Sequence, residues 1–413
     1  MDLHIEGVEN MLLKKSINVS GSKSESNRLL ILQQLFPQIT IENLSDSDDS
    51  KHLQHAVTTS EADINIGHAG TAMRFLTAFF AMQNDKTVVL SGSHRMHNRP
   101  IEILVQALRD LGGDISYVEK EGYPPLKIVG KELTKDSVAI NGNVSSQYIS
   151  ALLLIASSLP NGLTITLLGE ITSIPYIEMT LSLLNQLGIE STFKDDTIFV
   201  KPQQNLDSKT VVVESDWSSA SYFYSMMALS DIGSEIKLSS YRRESLQGDS
   251  CLAEIYEHFG VETTFEENTI TLKKKNVISR AVEKSGIELN LKNAPDIAQT
   301  IAVTCFGLGV ACELTGLHTL KIKETDRLEA LKAELTKLGA TVSVTDHSLH
   351  LEPSYEIVKN VRIETYHDHR MAMAFVPLAM KVPIQIEDAN VVTKSYRNFW
   401  EDMKKIGFQC KEL

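Results

Sequence analysis

The sequence predicts an α/β (α+β) chain with mixed sheets, folded as two domains of three repeated α/β units each. Three observations carry that prediction. The 413 residues exceed the usual size of a single hydrophobic core, so two domains are the natural expectation. A hydrophobic share of 42% and a charged share of 23% match an ordinary globular protein, not a fibre, a disordered chain or a membrane protein. Along the chain one pattern recurs: an amphipathic segment closes on an apolar residue and a glycine, and a strand-like run follows.

The copies are ALRDLGGDISYV from Ala107, LLNQLGIESTF from Leu183, IYEHFGVETTF from Ile255, LKAELTKLGATVSV from Leu331 and FWEDMKKIGFQCKEL from Phe399. Each glycine stands where a helix ends in a left-handed residue, which predicts caps at Gly112, Gly188, Gly260, Gly339 and Gly407. A degenerate first copy, LLILQQLFPQITIEN from Leu29, has Pro37 where the stop belongs. Six units of roughly seventy residues result, too long for a solenoid repeat. Between the caps, strand-like runs at 87–90 (TVVL), 163–168 (LTITLL), 210–213 (TVVV) and 269–272 (TITL) alternate with helical segments such as 147–158. The domain boundary is expected near residues 213–216, close to mid-chain.

A net charge of −13 argues against nucleic-acid binding, which needs an accumulated basic surface. The longest apolar stretch, residues 301–312, is too short to span a bilayer. The N-terminal Met-Asp-Leu-His-Ile-Glu lacks the basic start and apolar run of a signal peptide. A soluble cytoplasmic protein is therefore expected. No pair among Cys251, Cys305, Cys312 and Cys410 has C-x-x-C spacing, and reduced, buried thiols are expected. If the ligands are anionic, a local cationic cluster has to overcome the negative field of the whole chain.

Candidates for that cluster gather at predicted helix starts. Gly21-Ser22-Lys23-Ser24-Glu25-Ser26-Asn27-Arg28 runs into LLILQQL, with Ser24 and Arg28 on one helical face. His68-Ala69-Gly70-Thr71-Ala72-Met73-Arg74 precedes FLTAFFA, Ser145-Ser146-Gln147 precedes YISALLLIA, and Asp216-Trp217-Ser218 precedes a further apolar run. Pro295-Asp296, Lys323-Glu324-Thr325-Asp326-Arg327 and His367-Asp368-His369-Arg370 open three more. Exposed N–H groups and the macrodipole make a helix start an anion site, but one terminus contributes only about 0.3–1 kcal/mol. A phosphate dianion needs several of them plus charged hydrogen bonds. Taken singly, each start is equally an ordinary N-cap. Ser22 stands where a P-loop requires glycine before lysine. His367-x-His369 lacks a third and fourth metal ligand at suitable spacing, and no Gly-x-Ser-x-Gly elbow occurs. Lys/Arg clamps beside the carboxylates Asp296 and Glu324 remain, a set suited to proton transfer on a phosphorylated substrate without metal, cofactor or covalent nucleophile.

These stretches together resemble the EPSP synthase (3-phosphoshikimate 1-carboxyvinyltransferase) family. The matching segments are GSKSESNR, AGTAMR, HRMHNRPIEILVQAL, GYPPL, SSQ, SIPY, ESDWSSASYF, QGD, PDIA, KETDRL, DHRMAM and TKSY, in the family's order over nearly the full chain. The resemblance implies the two-domain enolpyruvyl-transferase fold, an inside-out α/β barrel in each domain. Residues 1–21 with 214–413 would form one domain and 22–213 the other, with the active site in the cleft between them. It implies shikimate 3-phosphate and phosphoenolpyruvate as partners, a monomer and no cofactor. Ser24, Arg28, Ser145, Ser146, Ser173 and Lys323 would hold shikimate 3-phosphate. Gly70, Arg99, Arg327, Arg370 and Lys394 would hold phosphoenolpyruvate, and Lys23 and Gln147 would touch both. Asp296 looks like the base for the attacking 5-hydroxyl and also a sugar-phosphate contact. Glu324 looks like the acid that protonates the methylene carbon, with Lys23 assisting catalysis.

Departures from the family pattern are His68, Thr319 and His367, each where asparagine is common, and these three are not carried over as ligands. Gly70 resembles the glyphosate-sensitive class, while Phe75 after Arg74 is less usual. The related alternative is UDP-N-acetylglucosamine enolpyruvyl transferase. That enzyme typically has Lys-Asn where this chain has Lys23-Ser24, and a reactive loop cysteine that none of the four cysteines matches.

Overall fold

Six sheets organise the chain, and five of them share one wiring. A computed structural model describes residues 1–8, 11–143, 145–171 and 174–413. In each of the five four-stranded sheets a parallel pair is extended by two antiparallel strands. Strands Asp63–Asn65 and Thr87–Ser91 run parallel, and the helix Gly70–Ala81 carries the chain between them. The same β-α-β step recurs through Ser146–Ala156, Ala298–Leu308 and His369–Phe375. Parallel neighbours require such a crossover, whereas the antiparallel extension needs only a tight turn. One such turn carries Asp195 at φ 55 between strands Ser191–Lys194 and Thr197–Val200.

The chain divides into two compact units, Met1–Ser20 with Glu214–Leu413, and Gly21–Val213. The first holds three four-stranded sheets; the second holds two, plus a parallel pair of Ile39–Glu42 with Lys209–Val212 that lacks the antiparallel extension. Gly21–Val213 is inserted inside one β-α-β step, between the strand Lys14–Ile17 and the helix Trp217–Leu229 that leads to its parallel partner Glu235–Ser239. At the chain's ends, Leu3–Glu6 lies between Ile384–Ile386 and Gln409–Glu412, antiparallel to both. No sheet of the described residues closes on itself.

Crossover helices lie inside and sheets outside. GTAMRFLTAFFA, SQYISALLLIA and WSSASYFYSMMAL are apolar nearly all round, the signature of a fully buried helix. In each, one residue alone escapes burial: Thr71, Gln147 and Ser218, all in the first turn. Each fully buried leucine of the second helix contributes about 1.5–3 kcal/mol through burial.

The outer helices carry the predicted glycine stops, and all five glycines have positive φ, from 78 at Gly260 to 125 at Gly407. The copy read from Leu29 is a different element. Lys23–Leu35 is an inner helix, and the outer helix of that unit is Asp48–Thr58, which ends on Thr59 at φ −74 without a glycine. The buried run LLIL has no 3.6-residue period to separate the two kinds. Cys305 and Cys312 are buried, Cys251 and Cys410 half-buried, and none is in a disulfide. No helix of the described residues is long and apolar enough to cross a membrane.

Candidate active site

Every crossover begins where the chain leaves the carboxyl end of a strand and enters a buried helix, the place where α/β folds present ligand-binding groups. Many of the motif residues occupy these entries, whereas Lys323, Glu324 and Arg327 lead into the outer helix Arg327–Lys337, and Arg99 and Lys394 stand on connecting segments; together they form two clusters.

In the Gly21–Val213 unit, Ser22 caps the helix Lys23–Leu35 by accepting from Glu25 N at 3.5 Å. Lys23 opens the helix with its Nζ 3.4 Å from Asp49 Oδ2. One turn on, Arg28 is 3% exposed. It donates to Thr180 Oγ1 at 2.7 Å, Ser24 O at 2.8 Å, Ser150 Oγ at 3.0 Å and Tyr176 O at 3.2 Å, all neutral acceptors. Burial lowers its pKa to about 10, against the opposing pull of Tyr176 and Glu25. A buried cation hydrogen-bonded only to neutral acceptors is costly, and an incoming anion would relieve that cost.

At Gly70 a Cβ would sit 2.2 Å from Arg99 Nη1, so the guanidinium occupies the space a side chain would take. The Arg99 guanidinium therefore lies directly against the first turn of the helix. Arg74 supports this arrangement by donating to Gly70 O at 3.1 Å and Pro100 O at 3.0 Å. Tyr148 also donates to Pro100 O, at 2.6 Å. Burial, then Arg99, brings the Arg74 pKa down to about 10. Ser145 caps the helix Ser146–Ala156 by accepting from Gln147 N at 3.4 Å, and Gln147 Nε2 donates to Thr71 Oγ1 at 3.3 Å. Ser146 is buried beside them. Ser173 lies outside the described residues.

The second cluster, in the Glu214–Leu413 part, is built around Arg327. This guanidinium is buried and faces three carboxylates: Asp296 at 2.8 Å, Glu324 at 2.8 Å and Asp368 at 2.6 Å. Arg370 reaches Asp296 Oδ2 at 3.2 Å and Ser218 Oγ at 3.2 Å. Ser218 donates in turn to Asp249. Lys323 approaches Asp296 Oδ1 at 3.6 Å, and Lys394 approaches Glu324 Oε1 at 3.3 Å.

Burial alone would raise the Asp296 pKa, but Arg370, Lys323 and Arg327 outweigh it and hold the carboxyl well below the usual range. For Asp249, burial and then the negative charge of Asp296 win over Arg370, pushing it up to about 6. Burial disfavours the Arg327 cation, yet Asp368, Glu324 and Asp296 together raise its pKa.

The structure thus groups Lys23, Ser24, Arg28, Gly70, Arg99, Ser145, Ser146 and Gln147 in one unit, and Asp296, Lys323, Glu324, Arg327, Arg370 and Lys394 in the other. Motif reading gave no role to Asp49, Arg74, Asp249 or Asp368, although all but Asp49 fall within the quoted segments. Their signal was burial, which a sequence does not display. Of the three departures, His68 Nδ1 pairs with Ser93 Oγ at 2.8 Å. Thr319 Oγ1 is buried without a hydrogen-bond partner. His367 adopts φ 55, a left-handed position that asparagine and histidine tolerate better than most residues. Among the described residues no group of three or more His, Cys, Asp or Glu side chains could hold a metal ion.

Such clusters can bind multiply charged anions and move protons. The family profile described as EPSP synthase (3-phosphoshikimate 1-carboxyvinyltransferase) matches residues 53–403. A protein of Bacteroides fragilis (strain YCH46) named 3-phosphoshikimate 1-carboxyvinyltransferase is 44% identical over 403 residues, 97% of each chain. One of the same name from Vibrio atlanticus (strain LGP32) is 36% identical over 95% of this chain and 96% of its own. Among solved structures, EPSP synthase from Acinetobacter baumannii superposes with a TM-score of 0.81 at 21% identity, covering 100% of both chains. The enolpyruvyl transferase NikO from Streptomyces tendae gives 0.70 at 14% identity over 99% of this chain and 98% of its own. These two likenesses establish the fold.

Proposed function

We infer the function from one premise: this chain belongs to the EPSP synthase family. It transfers the enolpyruvyl (carboxyvinyl) group of phosphoenolpyruvate to the 5-hydroxyl of shikimate 3-phosphate. The products are 5-enolpyruvylshikimate 3-phosphate and phosphate, in the shikimate pathway toward chorismate and the aromatic amino acids. The observation that carries the residue-level reading is the sharing of one buried guanidinium, Arg327, by Asp296 and Glu324.

In this reading Arg28, Ser24, Ser145, Ser146, Ser173 and Lys323 hold shikimate 3-phosphate. Arg99, Gly70, Arg327, Arg370 and Lys394 hold phosphoenolpyruvate, and Lys23 and Gln147 serve both. The reading needs both clusters to act on the same pair of substrates. The 5-hydroxyl oxygen bonds to C2 of phosphoenolpyruvate as Asp296 takes its proton and Glu324 gives a proton to C3, leaving a tetrahedral intermediate. The C2–O bond to phosphate then breaks as Glu324 takes back a C3 proton, the proton on Asp296 passes to the departing phosphate, and the enol ether and phosphate remain.

Without ligand, Glu324 lies against Arg327 and Lys394, and Asp296 is held ionised by Arg370, Lys323 and Arg327. An anion that takes over these cations weakens their hold on the Asp296 carboxylate and makes it a stronger base. The reading also has the enzyme act as a monomer in the cytoplasm; the net charge of −13 favours neither nucleic acid nor an anionic membrane as partner.

The test is phosphate release from phosphoenolpyruvate with shikimate 3-phosphate, and separately with UDP-N-acetylglucosamine. Release with the first acceptor alone supports the reading, and release with the second transfers the chain to the related enzyme. No release from folded protein that binds both ligands would overturn it.

A further inference from the structure

Two consecutive non-glycine residues, Tyr366 at φ 53 and His367 at φ 55, lie in the left-handed region immediately before Asp368. Side chains seldom accept that conformation, and it persists where the surroundings hold it in place. Here the restraint is specific. The Tyr366 hydroxyl donates to Glu334 Oε1 at 2.6 Å, and Glu364 N donates to Glu334 Oε2 at 3.2 Å. His367 Nδ1 lies 3.0 Å from Asp388 Oδ2, and Asp368 N donates to Thr365 O at 2.8 Å.

Glu334 is itself an unusual residue for this place. Its side chain is 0% exposed, and besides these two donors it has Lys337 Nζ at 2.8 Å. A buried carboxylate is retained only where donors satisfy it, and two of its donors come from the strained segment. Glu334 stands seven residues after Arg327 on the helix Arg327–Lys337, so both project from one face. That helix consequently grips the segment 364–368 twice: Arg327 holds Asp368 at its end, and Glu334 holds Tyr366 and Glu364 at its start. Asp368 Oδ1 accepts from Arg370 N at 2.9 Å, so the turn also sets where Arg370 begins.

We propose that Glu334 is a positioning residue, acting through Tyr366 to hold the left-handed turn that aims Arg327 and Arg370 at the phosphoenolpyruvate anion. This rests on the reading that those two arginines bind phosphoenolpyruvate. Glu334 touches no substrate in this account; it fixes the register between the helix of one arginine and the turn of the other. Loss of the tether lets the turn relax, and a bidentate guanidinium loses affinity quickly when misaligned.

The experiment compares Tyr366→Phe, Glu334→Gln and, as reference, Arg370→Lys in the full chain. It measures KM for each substrate, kcat and Tm. Tyr366→Phe, which removes one oxygen, is expected to raise KM for phosphoenolpyruvate about fivefold or more. KM for shikimate 3-phosphate should stay near wild type, while Tm falls modestly because the buried Glu334 carboxylate loses a donor. Glu334→Gln keeps one acceptor oxygen and should give a smaller rise of the same kind. If Arg370→Lys raises KM for phosphoenolpyruvate but Tyr366→Phe does not, the positioning inference is overturned and the ligand reading stands. A lower Tm for Tyr366→Phe with KM unchanged also overturns it, leaving a merely structural tether. If Arg370→Lys itself leaves KM unchanged, the ligand reading has failed and the inference falls with it.

Discussion

Arg28 and Arg327 are both buried guanidiniums in crossover-end clusters, yet their surroundings are opposite. Arg28 has neutral acceptors and a pKa lowered by burial, and Arg74 in the same unit repeats the arrangement. Arg327 is surrounded by carboxylates and its pKa is raised. The contrast separates two ways of readying a cation for an anion. The first keeps it desolvated among neutral acceptors, so that an anion would relieve a cost already present in the fold. The second stores it against the carboxylates proposed to do the chemistry, so that an anion would take the cation away from them. A binding role suits the first and a catalytic role the second.

The largest effect that could break this comparison is on turnover. Asp296→Asn keeps the shape but removes the carboxylate proposed as the base, and kcat should fall about 10²–10⁴-fold. Calorimetric affinity for shikimate 3-phosphate should remain within a few-fold of wild type. An activity close to wild type would take Asp296 out of the catalytic set.

Stability provides the next test because the two arginines should differ in kind. Arg327→Gln leaves the buried Asp368 carboxylate without its guanidinium and takes one cation each from Asp296 and Glu324, and is expected to destabilise by about 3–5 kcal/mol in urea unfolding. Arg28→Gln removes a charge whose hydrogen-bond acceptors are all neutral, so unfolding stability should fall less than for Arg327→Gln while shikimate 3-phosphate affinity collapses. Equal destabilisation by both variants would erase the distinction drawn between the clusters.

Gly70→Ala sharpens the picture locally. The new Cβ would displace the Arg99 guanidinium, so KM for phosphoenolpyruvate should rise roughly tenfold. Tm should not fall, since alanine gains about 0.5–1 kcal/mol over glycine inside a helix. An unchanged KM would mean that Arg99 does not meet the substrate from this position.

The smallest effect concerns Asp249. Its folded pKa, about 6, lies above the ordinary 3.8, so the folded chain binds its proton more tightly than the unfolded chain. The stability this contributes is present at low pH and is lost as pH rises from about 4 to about 6. Asp249→Asn should flatten that part of the Tm–pH curve by a few degrees relative to wild type. Parallel curves for the two proteins would show that Asp249 does not titrate in this window.

Local chemistry was legible in the sequence. The five glycine stops carry positive φ, and most motif residues stand at helix starts, because capping and backbone conformation depend on neighbours in the chain. The Leu29 copy was misassigned because LLIL is buried on every side, and without an exposed face an inner helix has no period to read. Pairings distant in sequence were not legible. Nothing in KAELTK announces that Glu334 receives Tyr366, or in QGD that Asp249 meets Ser218. Such contacts arise only when separate helices converge, and each looks like an ordinary surface charge until its burial is known.

The strand Leu3–Glu6, lodged between Ile384–Ile386 and Gln409–Glu412, bears on how the chain is made. Synthesis runs from the N-terminus, so this strand is made before the inserted residues 21–213 and must wait through them for both of its partners. The inserted residues can complete their own sheets meanwhile. A ribosome stalled before residue 384 would therefore display a finished insertion beside a host unit in which Leu3–Glu6 has neither neighbour.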